Sequence, residues 1–160
     1  MSVDPDLPAT DLPALRPGAV GSPHLRAAAA VAVGGAAGAL ARAGVAEIVG
    51  HSPRGWPWST LLTNATGSAL LGVLLVILAR SSRESGYPRA LLGTGLLGGY
   101  TTFSTLTVDA VQLARFERPG VAALYVVASA AGMLLSCLTG VAATRRLVRP
   151  GPGHEAGGSG

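Results

Sequence analysis

The chain has 160 residues, of which 49% are hydrophobic and only 12% charged, with a formal net charge of +4. Soluble domains carry roughly a quarter charged residues, so this composition excludes an ordinary soluble fold. Every basic residue is arginine and the pI is about 10.2. In a soluble protein that balance points to nucleic acid, but these arginines stand at the ends of apolar runs rather than along one face. They read as membrane-flanking anchors, so the implied partner is a lipid bilayer and not nucleic acid.

Residues 1–24 (with DPDLPATDLPALRPG) and 147–160 are rich in Pro, Gly and Ser and lack apolar periodicity. Both are expected to be disordered tails. A cleaved signal peptide is the weaker reading of the leader, which has almost no positive charge at its start. Between the tails lie four apolar runs, at about 25–49, 57–79, 90–114 and 119–144. Each reaches the ~20 residues that a helix needs to cross the hydrocarbon core. The fold class predicted is therefore an all-α membrane protein, with four transmembrane helices in one domain over 25–146.

The first run places Gly34 and Gly38 at the small-xxx-small spacing that lets helix backbones approach closely. Arg42 lies in its second half, where a charge is costly; it marks an intramembrane functional or pairing residue, or one that snorkels to the nearby interface. The second run opens with Trp56 and Trp58, an interfacial belt, and then buries Asn64 among Thr63, Thr66 and Ser68.

The third run contains GTGLLGGYTTFSTL, Gly93–Leu106, with hydroxyls at Thr94, Thr101, Thr102, Ser104 and Thr105. Non-helical backbone at bilayer depth is tolerated only where it is buried in protein or lines a polar path. The Gly98-Gly99 pair followed by Thr101-Thr102 predicts a break near Gly98–Thr101. Carbonyls freed there suit a cation, and the hydroxyls beside them suit a small ion that has lost water. In the fourth run Tyr125 and Ser129 share one helical face.

Cys137 is single, and His24, His51 and His154 lie outside the runs, so neither a disulfide framework nor a thiolate or imidazole metal site is expected. No catalytic constellation and no phosphate loop is present, and an enzyme is not expected. Eight arginines (16, 26, 80, 83, 89, 145, 146 and 149) flank the N-terminal side of this topology and three (54, 115 and 118) the other. By the positive-inside rule both termini are expected in the cytoplasm.

The segments GGAAGALAR (34–42), STLLTNATGS (59–68) and GTGLLGGYTTFST (93–105) resemble, in order and spacing, the fluoride channel family known as Fluc or CrcB, over about residues 30–145. The resemblance implies an antiparallel dimer of four-helix subunits in the bacterial inner membrane, with two narrow fluoride paths. It also implies passive efflux that lowers cytoplasmic fluoride, and one central sodium ion that is structural and not transported. By position, Gly98 and Thr101 would offer backbone carbonyls to sodium. Asn64, Thr102, Phe103, Ser104, Tyr125 and Ser129 would line the fluoride path, and Arg42 would be the structural polar residue of the first helix. Asp109 matches an acidic position after the signature.

Neutral donors suit this task, because Asn, Thr, Ser and Tyr replace lost water without a fixed charge that would trap the ion. A ring meets an anion through its positive edge.

Two positions depart from the pattern. Leu106 stands where the family commonly has a second ring, and Met133 follows Ser129 on its face where a hydroxyl would continue the polar track. The unequal arginine count also favours one fixed orientation. A heterodimer with a homologous subunit of opposite bias is therefore preferred over a homodimer. The alternatives are a non-conducting structural subunit of such a heterodimer and a small proton-coupled exporter, for which Glu47 and Asp109 are the acidic candidates.

Overall fold

The computed structural model describes residues 22–50, 55–81, 86–116 and 119–148. The tails expected at 1–24 and 147–160 lie outside the described residues except at their inner edges, where Ser22 opens the first helix and Leu147 closes the last. His51, Arg54 and His154 also lie outside.

Every described element is helical: α1 (Ser22–Val49), α2 (Trp58–Arg80), a π-helix π1 (Arg89–Leu97), the single turn α3 (Gly98–Tyr100), α4 (Phe103–Arg115) and α5 (Pro119–Leu147). Local chemistry sets their ends. Gly50 adopts φ 74°, the left-handed conformation that stops α1, and its amide donates to the Ala46 carbonyl at 3.0 Å. Pro57 precedes α2, Pro88 precedes π1 and Pro119 opens α5, positions where a missing N–H breaks no helical bond. Residues His24–Val49, Trp58–Arg80 and Pro119–Leu147 form helices long and apolar enough to cross a membrane. The third apolar run is divided among π1, α3 and α4, none of which meets that length alone.

Burial is reversed relative to a soluble protein. Ser59, Thr60, Thr63, Asn64, Thr102, Asp109, Ser129 and Thr144 are buried, whereas Val33, Leu40, Leu70, Leu75, Leu124, Val127, Leu134 and Leu135 are exposed. So much contiguous apolar surface is untenable in water but natural against acyl chains. The chain is accordingly an integral membrane protein, with its hydroxyls gathered inside. Several of these satisfy themselves locally: Thr63 donates to the Ser59 carbonyl at 2.9 Å and Thr144 to the Gly140 carbonyl at 2.8 Å.

In the absence of a hydrophobic force between helices in lipid, close backbone contact has to hold the bundle. Two seams provide it. Along the first, α1 runs parallel to π1 and α3, and a Cβ on Gly38 would sit 2.8 Å from the Tyr100 amide nitrogen and still nearer the Leu96 carbonyl. Along the second, α2 runs parallel to α5, and Gly72 and Gly140 each press on the other helix's backbone, at Cys137 and Ala69 respectively. Gly44, by contrast, faces open space: a Cβ there would meet nothing within 4 Å.

This contrast is testable by thermal unfolding in detergent. Gly38→Ala is expected to destabilise by about 1–3 kcal/mol, as overpacked sites do, while Gly44→Ala is neutral or stabilising by up to about 1 kcal/mol.

Candidate functional site

The backbone of the third run departs from helix at two residues. Helix α3 ends at Tyr100; Thr101 (φ −79°, ψ 156°) and Thr102 (φ −150°, ψ 121°) are extended; α4 resumes at Phe103. The Asn64 carboxamide holds this interruption from α2. Its Nδ2 donates to the Thr102 carbonyl at 2.9 Å and its Oδ1 accepts from the Thr102 amide at 2.8 Å. Both groups of one peptide residue are thus satisfied by a side chain that is itself only 1% exposed. A Cβ on Gly67, less than one turn further along α2, would strike Thr101 Cγ2, so the glycine lets the extended segment lie against α2.

Hydrogen bonding at the interruption redirects two amides. A continuous helix would send the Thr102 amide to the Gly98 carbonyl and the Thr105 amide to the Thr101 carbonyl. Here the first goes to Asn64 and the second to the Thr102 hydroxyl, at 3.1 Å, as the N-cap of α4. Thr101 turns its own amide and hydroxyl back to the Leu97 carbonyl, each at 3.0 Å. The carbonyls of Gly98 and Thr101 therefore lose their helical donors, and the same interruption separates those of Gly99 and Tyr100 from the amides of Phe103 and Ser104. Among the described residues no cluster of three His, Cys, Asp or Glu exists; neutral carbonyl oxygens such as these are a donor set suited to a hard cation.

A second polar group lies about one turn along α2. Thr60 Oγ1 donates to Asp109 Oδ2 at 2.6 Å, and the Tyr125 hydroxyl donates to the same oxygen at 3.3 Å. Asp109, Tyr125 and Thr60 are all buried. The Trp56 ring meets Tyr125 edge-on, with centroids 5.6 Å apart. Ser129, one turn beyond Tyr125, is fully buried near the Tyr125 hydroxyl, and its Oγ makes no hydrogen bond of good geometry among the described residues; Trp56 Nε1 makes none either. An orphaned buried hydroxyl is unusual and costs about 1–3 kcal/mol unless a ligand or water meets it.

A cavity of about 340 Å³ connects α1 to this region, lined by Arg42, Ser59, Thr60, Thr63, Thr102 and Thr105 together with alanines of α1. Arg42 is its one charged lining residue, half-buried at the wall. Asn64 and Thr102 thus meet at the interruption with Thr101 beside them, Gly98 lies in the helical turn before it, and Tyr125 and Ser129 line up on α5. Ser104 is exposed, with its hydroxyl 3.2 Å from that of Thr102. Phe103 points away from the chain's own interior, 77% exposed. Leu106 does the opposite: it is buried with Leu113, Ala122 and Tyr125, and Met133 packs against that group.

Sequence reasoning overlooked Thr60, the partner of Asp109. The signal was present, because Thr60, Asn64 and Gly67 recur at helical spacing on one face of α2.

Apolar exterior, buried polar interior and a span interrupted at mid-length define a small α-helical membrane protein. The family described as CrcB-like protein, Camphor Resistance (CrcB), matches residues 29–141. The chain is 42% identical over 120 residues to "Fluoride-specific ion channel FluC 2" of Thermobifida fusca, covering 75% of this chain and 89% of that protein. It is 41% identical over 122 residues to "Fluoride-specific ion channel FluC 1" of Mycobacterium tuberculosis, covering 76% and 92%. It is 43% identical over 119 residues to "Fluoride-specific ion channel FluC" of Sphingopyxis alaskensis, covering 73% and 94%. The chain belongs to the CrcB family of fluoride-specific ion channels, whose members are not enzymes.

The Asn64 bonds give a direct test. Asn64→Leu leaves the buried Thr102 amide and carbonyl unpaired, at about 1–3 kcal/mol for each group. Hydrogen exchange at the Thr102 amide is expected to be slow in the wild type and to accelerate in the variant, while the amides of α5 keep their protection.

Proposed function

We propose that the chain is a subunit of a fluoride channel that lets fluoride leave the cytoplasm passively, and that two such subunits pair antiparallel across the third span. The observation that carries this reading is the buried set of hydroxyls and amide at Thr60, Asn64, Thr102, Tyr125 and Ser129, with the Asp109 carboxyl held by two of them, in a chain whose exterior is apolar. Fluoride is small and strongly hydrated, so its path has to offer many donors and no trapping charge. The Ser129 hydroxyl, buried near that of Tyr125 and without a well-formed hydrogen bond, is the donor left over for an ion, since the Thr60 and Tyr125 hydroxyls already serve Asp109.

Pairing follows from what one chain leaves exposed. The Phe103 ring at the interruption has no cover within its own subunit, and a second subunit there would place the ring's positive edge beside the path. Gly98 and Thr101 would hold a structural sodium ion through their backbone oxygens, each subunit supplying two. A bound sodium ion supplies fixed positive charge in a low-dielectric region and ties the two interrupted spans together.

Arg42 stands at the cavity that leads toward Thr102, where it would raise local fluoride concentration without touching the narrowest part. The plasma membrane is the expected location, with both termini cytoplasmic from the arginine distribution.

The partner is a homologous subunit, and we favour a heterodimer. Leu106 supports this, because its side chain is committed to the core against Tyr125 and no second ring stands at that position. The same observation favours a second reading, in which this chain completes a conducting partner without conducting itself.

Fluoride-electrode efflux from vesicles separates these readings. Co-reconstitution with a homologous partner of opposite charge bias is expected to give rapid, sodium-dependent efflux. Robust flux from this chain alone would remove the heterodimer, and none under either condition would remove conduction. In the conducting assembly Phe103→Ile is expected to lower the rate at least ten-fold while the dimer still elutes intact, and Ser129→Ala to lower it as well. Unchanged efflux would take either residue out of the path.

A further inference from the structure

Beyond the crossing of α2 and α5 at Gly72 and Gly140, the space between the two helices opens into a groove of about 1160 Å³. Its walls are apolar, with Leu75 and Val76 from α2 and Leu138 and Val141 from α5. Its mouth is cationic, carrying Arg80, Arg145 and Arg146. At 1.5 Å per residue, Leu138 lies roughly 10 Å below Arg145 along α5. By the same rise Trp58 and Arg80 stand about 33 Å apart along α2, close to the ~30 Å hydrocarbon thickness. With Trp58 at one interface, the three arginines stand at headgroup level on the other.

The three arginines are not equivalent. Arg80 donates from Nη1 to the Val148 carbonyl and so closes the end of α5. Arg145 and Arg146 are exposed and form no ion pair among the described residues. Favourable interaction with the C-terminal dipoles of the two parallel helices accounts for positive charge at this end. It does not account for a cleft of this size directly beneath the charge.

We propose that the groove holds an anionic phospholipid, with its phosphate on Arg145 and Arg146 and the upper part of an acyl chain against Leu75, Val76, Leu138 and Val141. An apolar slot with a cationic rim is complementary to one molecule with a hydrocarbon tail and an anionic head, and basic pockets between membrane helices take such lipids. The proposal rests on the membrane placement of the chain and is independent of conduction.

The test is lipid retention by the full-length protein, read by native mass spectrometry after exchange into phosphatidylglycerol or phosphatidylcholine. The wild type is expected to retain phosphatidylglycerol preferentially. Arg145→Gln with Arg146→Gln should reduce that preference by about five-fold per arginine, and Lys at both positions should restore most of it. Ala142→Trp, which fills the groove and leaves the charges, should lower retention too, whereas Arg89→Gln, at the same end but outside the groove, should not.

Equal retention of the two lipids by the wild type overturns the proposal. So does an Arg89→Gln effect as large as that of the double variant, or full retention in Ala142→Trp, since either makes the preference a general surface-charge effect. Retention seen only after the dimer is dissociated would assign the groove to a second copy instead. Efflux measured on the same preparations keeps the two readings apart, because loss of flux with lipid preference intact speaks against conduction and leaves the lipid site standing.

Discussion

The paired hydrogen bonds between the Asn64 carboxamide and the Thr102 peptide are the constraint on which the rest of the structure depends. An interrupted helix inside a bilayer exposes amides and carbonyls that no water can satisfy, each at several kcal/mol. One carboxamide answers both groups of Thr102, because it presents a donor and an acceptor side by side, as a neighbouring β-strand would. The Thr102 hydroxyl then caps α4, and Thr101 closes on Leu97. Carbonyls on the N-terminal side of the break, those of Gly98 and Thr101 included, are left without their helical donors. The interruption is thus stabilised on its amide side and left open on its carbonyl side.

The same economy runs through the packing. In lipid the apolar side chains gain nothing by being inside, so the interior is free to hold hydroxyls, and the outward Leu and Val residues meet acyl chains. The bundle is held instead by backbone contact at Gly38 against Leu96 and Tyr100, and at Gly72 and Gly140 between α2 and α5. These seams fix the lateral position of α2, and α2 carries Thr60, Asn64 and Gly67 on one face. A displacement of that helix would part Asn64 from Thr102 and Thr60 from Asp109 together. The close-packed glycines and the buried polar residues therefore belong to one mechanical unit.

Much of this was legible in the residues themselves. Apolar run lengths marked the helices, and GGYTTFST in an apolar context marked a departure from helix near Gly98–Thr101, whereas the extended residues are Thr101 and Thr102 and Gly98–Tyr100 is helical. The role of Asn64 was legible only in kind: a buried amide needs partners, but that both lie on Thr102 is a matter of where α2 packs against the third run. The π-helix at Arg89–Leu97 was not foreseen. Its i→i+5 ladder has no composition signature distinct from an α-helix, and it arises where Gly95 and Gly99 lie against the α1 backbone. The Thr60–Asp109–Tyr125 group joins three helices, and sequence spacing carries no information about contacts of that range. Opposite orientations of Phe103 and Leu106, three residues apart at the start of α4, were hidden for the same reason.

The claim that Gly98 and Thr101 carry carbonyls released from the helical ladder is tested most directly by solid-state carbon NMR of the protein in bilayers, with the carbonyls of Gly98 and Thr101 labelled. The account predicts that both resonances lie away from helical values and move when sodium is replaced by potassium, while the carbonyl of Leu97, bonded to Thr101, stays in place. Helical shifts at both labels, unchanged by the cation, would contradict it.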